Sequence, residues 1–121
     1  MMSLQTKLKE LYNPFLTITA AKVSHYRRTS KPPFIVWAED GEQDSFHASN
    51  HKEEQQLTGV IDLYTLTEFD PIADSIQTIL NSEPVGWRLD LVQYEDETNL
   101  IHYEWTFEVA TDGEANSGDW D

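Results

Sequence analysis

A chain of 121 residues is the size of one ordinary domain and can bury a core without covalent staples. Four Trp within 39% apolar residues exclude a disordered polymer, and the lack of cysteine excludes disulfides, a thiol nucleophile and Cys-ligated metal. Eight Lys and Arg against 22 Asp and Glu, a net charge of −14, argue against a nucleic-acid-binding module, because such a surface repels phosphates.

The charge is unevenly spread. Residues 1–52 carry seven basic and five acidic side chains, whereas residues 53–121 carry Arg88 alone against 17 acids. The N-terminal stretch has no apolar run of signal-peptide length, and nothing approaches a membrane span, so a soluble intracellular protein is expected.

Leu4, Leu8 and Leu11 recur at i, i+4 and i+7 behind Ser3, which predicts a short amphipathic helix ending at or near Pro14. Lys22 to Arg27 reads as a strand, and "TSKPP" at 29–33 as a loop. Pro33 opens a second strand, "FIVWAE" at 34–39, and "DGEQD" follows as a turn or exposed loop. In "LTGVIDLYTLT" at 57–67, Ile61, Leu63 and Thr65 share one face, while Val60, Asp62 and Tyr64 share the other.

Asp70 as N-cap and Pro71 at the first helical position start a second helix, with Ile72, Ile76, Ile79 and Leu80 as its apolar stripe. "NSEPVG" at 81–86 ends it. Two further strands, 87–94 and 100–109, flank the polar connection "EDETN". In the last strand Ile101, Tyr103, Trp105, Phe107 and Val109 alternate with His102, Glu104, Thr106 and Glu108, predicting one packed and one wet face. The expected fold is therefore α+β: a single domain over residues 1–111, order α-β-β-β-α-β-β. Its mostly antiparallel sheet carries two helices on one face. Residues 112–121 read as a mobile acidic tail.

Several stretches invite a chemical reading. His47 and His51, followed by Glu53 and Glu54, have a spacing that would place both imidazoles on one helical face for zinc, as in a small metal-dependent hydrolase. No HExxH pattern is present, and Ser45, Ser49 and Asn50 favour turns over a helix. In an extended segment the two would stand roughly 13 Å apart, too far to share an ion. They are read as part of a polar run-in to the central strand.

His102 and Glu104 are i, i+2 neighbours whose polarity the strand alternation already explains. The acidic clusters at 39–44 and 95–97 lack the oxygen ladder of a calcium loop. Trp37, Tyr64, Trp87, Tyr103, Trp105 and Phe107 are expected in the core. No catalytic, cofactor or metal residue is assigned.

The order "KVSHYR", "PPFIVWAEDGEQDSFHASNH", "GVIDLYT", "DPIADSIQTILN" and a Trp-led closing hairpin, covering residues 22–109, resembles the tail-terminator or tail-completion proteins of long-tailed bacteriophages and their prophages. The resemblance implies a structural, non-enzymatic subunit that forms a ring, commonly a hexamer. Such a ring caps the tail tube and meets the head connector, so the expected partners are copies of itself and the tail-tube and head-connector proteins. The chain would reside in the bacterial host cytoplasm during assembly and then in the virion neck.

Within that reading, carboxylates lining a channel would let the genome pass without sticking. The first candidates are Glu39, Asp40, Glu42 and Asp44, and the second are Glu95, Asp96 and Glu97. A different class of function, an acidic interaction protein that mimics nucleic acid to occupy a basic partner, would fit the same net charge.

Overall fold

The structure, a computed structural model, describes residues 4–28, 31–42, 56–83 and 85–110. Its elements run in the expected order. Helix α1 spans Leu4–Tyr12 and passes into a 3₁₀ turn at Asn13–Thr17; strands β1 (Lys22–His25), β2 (Phe34–Glu42) and β3 (Gln56–Thr65) follow. Helix α2 (Pro71–Ser82) then leads to β4 (Val85–Glu95) and β5 (Leu100–Ala110). The α-helix ends at Tyr12, with Pro14 just beyond it as expected. This proline sits in the first turn of the 3₁₀ segment, where a missing N–H costs nothing, and thereby brings Phe15 into the core at 2% exposure.

The five strands form one sheet in the order β1-β2-β3-β5-β4. Every pairing is antiparallel except β1 with β2. Helix α2 carries the chain from β3 over to β4, leaving room for β5 to return between them. Both helices lie on one face. Their Leu8, Leu11, Ile72, Ile76 and Leu80 pack on Ile35, Trp37, Ile61, Leu63, Trp105 and Phe107 of the sheet.

Two of the tryptophans on this side of the sheet find polar partners on α2. Trp105 is fully buried, and its indole N–H donates to Gln77 Oε1 of α2 at 3.0 Å, while Trp87 donates to Asn81 Oδ1 at 3.0 Å. The start of α2 is locked in the same manner. Asp70 accepts from the Ile72 N–H at 2.9 Å as N-cap, and its other oxygen accepts from the buried Thr65 hydroxyl at 2.6 Å.

Three features depart from or add to what the sequence pattern conveys. The segment read as an exposed loop after residue 39 continues β2 through Glu42, because a bulge between Glu39 and Gly41 keeps the strand paired with β3. Gly41, at φ +141°, supplies a backbone conformation other residues rarely adopt. Second, β4 is not a simple alternating strand. A bulge between Leu89 and Leu91 shifts its phase, so Trp87 and Leu89 share the helix-side face with Val92 and Tyr94 beyond it.

Third, the face away from the helices is not uniformly wet. Phe34, Val36, Tyr64 and Leu100 form a small second core there, so Tyr64 is buried on the side opposite the other aromatics. His47, His51, Glu53, Glu54 and Asp44, with the tail at 112–121, lie outside the described residues.

Candidate functional site

Three surface features stand out from the fold. The first is the polar sheet face. Phe34, Tyr64 and His102 are direct partners across β2, β3 and β5, and their rings stack at 4.9 and 4.3 Å between centroids. The Arg28 guanidinium lies over Tyr64 at 4.2 Å, closing the apolar cluster with a cation on an aromatic face. The His102 imidazole donates from Nε2 to Asp62 Oδ1 at 2.7 Å.

Asp62 pairs in register with Glu104. Partial burial first, and then the charge of Asp62, push the Glu104 carboxyl above its usual value. This face therefore holds two facing carboxylates, in a place that disfavours ionisation of Glu104. Thr106 pairs with Asp90 farther along it, and Glu108 stands exposed beyond.

The second feature is the β4 edge and the end of the sheet beside it. Leu89, Val92 and Tyr94 project on the helix side yet remain 40%, 54% and 56% exposed, because neither helix reaches that far. Thr65 pairs with Ile101, which pairs with Tyr94, so the turn after β3 lies at this same end. That turn exposes Leu66 and Phe69, the latter 91% accessible. Phe69 also has φ +55°, a left-handed conformation that glycine or asparagine adopts far more readily.

The third is a pocket of about 700 Å³ between α1 and the β1–β2 edge. Tyr26, His25, Trp37 and Tyr12 form a run of rings along it at 3.8, 4.0 and 4.7 Å. Glu39 accepts from His25 Nε2 at 2.8 Å and from the Tyr26 hydroxyl. Burial acts to raise the Glu39 carboxyl, but the bonds from Tyr26 and His25, with a backbone hydrogen bond and the His25 charge, together outweigh it and hold the group below its usual value. The Trp37 indole N–H is buried with no partner among the described residues.

The acids expected to act together are thus separated. Glu39 is committed to His25 and Tyr26 on the helix side and is not a loop carboxylate. Asp40, the bulged residue, is exposed and accepts from Thr58 at 2.7 Å. Glu42 closes β2; its side chain lies outside the described part of the structure. Glu95 ends β4 and accepts from Thr98 at 3.1 Å, while Asp96 and Glu97 are exposed in the turn.

His102 and Glu104 share a face as expected, but the partner of His102 is Asp62 on the neighbouring strand. Among the described residues no group of three His, Asp or Glu side chains is arranged to hold a metal ion, and no helix is long and apolar enough to cross a membrane. Sequence reasoning passed over His25 and Tyr26, whose importance depends on the parallel pairing of β1 with β2, and over Phe69, an aromatic standing between two acids in a turn. No protein-family model matches the chain, and no curated protein matches it.

Proposed function

We propose that this chain is a structural assembly subunit of the tail-terminator kind, acting through contacts with copies of itself and with the tube and connector of a phage neck. The observation that carries the reading is the β4 side of the sheet. An eleven-residue edge strand exposes Leu89, Val92 and Tyr94, and the turn after β3, at the same end of the strands, holds Phe69 outward in a conformation unfavourable to it. A monomer gains nothing from a strained, exposed aromatic, whereas an interface uses it as an anchor.

The acidic sheet face supports the channel half of the same reading. Glu104 is kept as a carboxylate facing Asp62 although burial and the repulsion of Asp62 disfavour its charge. Such a face turned toward a lumen repels duplex DNA. The lumen candidates accordingly become Glu104 and Glu108 on the sheet with exposed Asp40, and Glu39 leaves the set.

Sedimentation of the purified full chain, together with negative-stain imaging, tests the proposal. Closed rings of several 14.0 kDa copies are the expected result. A species that stays monomeric up to about 1 mM, well above the dissociation constants of weak specific interfaces, would overturn it.

A further inference from the structure

The two open sides of the sheet carry opposite charge. Residues 1–33, which supply α1 and β1, hold six Lys and Arg against Glu10 alone. Residues 85–110, which form the β4–β5 hairpin at the other side, hold Arg88 against six acids. Each side also carries part of the exposed apolar surface. Leu4 and Tyr26 lie on the α1–β1 side and Leu89, Val92 and Tyr94 on the β4 side, while Leu66 and Phe69 stand at the strand ends after central β3 and Leu16 in the 3₁₀ turn.

Resting on the assembly reading above, we infer that copies meet head to tail, the basic α1–β1 side of one against the acidic β4 side of the next. A two-fold contact of β4 on β4 would set acids against acids, and β1 on β1 would set Lys and Arg against each other. Only the heterologous arrangement brings opposite charges together, and it is also the one that can close into a ring larger than a dimer.

The register supports specific neighbours. Lys22 pairs with Phe34, which lies level with Tyr64, His102 and Gln93 across the sheet. Lys22 and Lys31 therefore sit at the same end of the strands as Asp96 and Glu97, and all four are exposed. In a side-by-side repeat these lysines face the neighbour's hairpin turn.

The test uses two charge-reversed full-length chains, K22E/K31E and D96K/E97K, whose folding is checked by circular dichroism and thermal melting. Sedimentation velocity is run at about 0.05 M and about 0.5 M salt, on either side of the ionic strength where screening length falls to molecular-contact range. The wild type is expected to associate at low salt and to weaken at least tenfold at high salt. Each variant alone should be monomeric, and an equimolar mixture should reassemble, because the reversed edge of one complements the reversed edge of the other.

Wild-type assembly with either folded variant assembling equally well would overturn the head-to-tail pairing and leave the assembly reading standing. So would a mixture of folded variants that stays monomeric. A wild type monomeric at both salts would sink the assembly reading itself.

Discussion

Gly59 is the position where the sheet is least able to accept a single methyl group. It lies in central strand β3 opposite Phe107, and a Cβ built there would stand 2.5 Å from the Ala38 carbonyl oxygen and 2.5 Å from Phe107 Cζ. The first of these is backbone of the paired strand, and the second belongs to a ring only 1% exposed, so neither can move aside freely. Gly59→Ala should therefore destabilise the fold by about 1–3 kcal/mol, the usual cost of overpacking a well-filled core. For a domain of this size that is a fall of roughly 5–15 °C in melting temperature, read by circular dichroism or scanning calorimetry.

The mechanism can be isolated. Phe107→Leu also destabilises on its own by opening the core, but the double variant should be more stable than the sum of the two predicts, by about 0.5 kcal/mol or more. A melting temperature for Gly59→Ala within about 2 °C of wild type would refute the steric argument. Strict additivity of the pair would assign the cost to the Ala38 carbonyl alone.

Asp70→Ala removes the α2 cap and leaves the buried Thr65 hydroxyl without its acceptor, so a loss of about 2 kcal/mol is expected in urea denaturation. Glu104 holds its proton more tightly in the folded chain than in the unfolded one, so its contribution favours folding at acid pH and is lost as pH rises through its raised folded value. Glu104→Gln should thus be more stable than wild type at pH 7, with the gain vanishing below about pH 4, the unfolded carboxylate range; equal stability at pH 7 would contradict the assignment. Phe69→Gly relieves a left-handed turn residue without opening the core, so thermal stability should hold or rise while self-association falls at least tenfold in sedimentation.

The helices and strands were legible because their signals are local and agree with one another. Asp70-Pro71 followed by Ile72 and Ile76 marks a helix start, and the alternation from Ile101 to Val109 marks a one-sided strand. What the one-dimensional pattern hides are the insertions that change phase. The bulges at Asp40 and Asp90 each add one residue to a strand and shift its phase, so the apparent loop at 40–42 is strand and Val92 and Tyr94 emerge on the side opposite to simple alternation. The site is less legible than the fold. Glu39 is chemically distinct from the other acids only because β1 brings His25 and Tyr26 to it, and a pairing between segments fourteen residues apart leaves no periodic trace.

The single parallel pairing in the sheet fixes the polarity of its rims. Five strands laid strictly up and down would leave the first and last pointing the same way, and a rotated copy would then present co-directed backbones at the seam. Because β1 runs alongside β2 in the same sense, the two rim strands point oppositely. In a head-to-tail ring of the proposed kind, successive protomers would therefore meet with opposed chain directions, the geometry in which N–H and C=O groups face each other squarely.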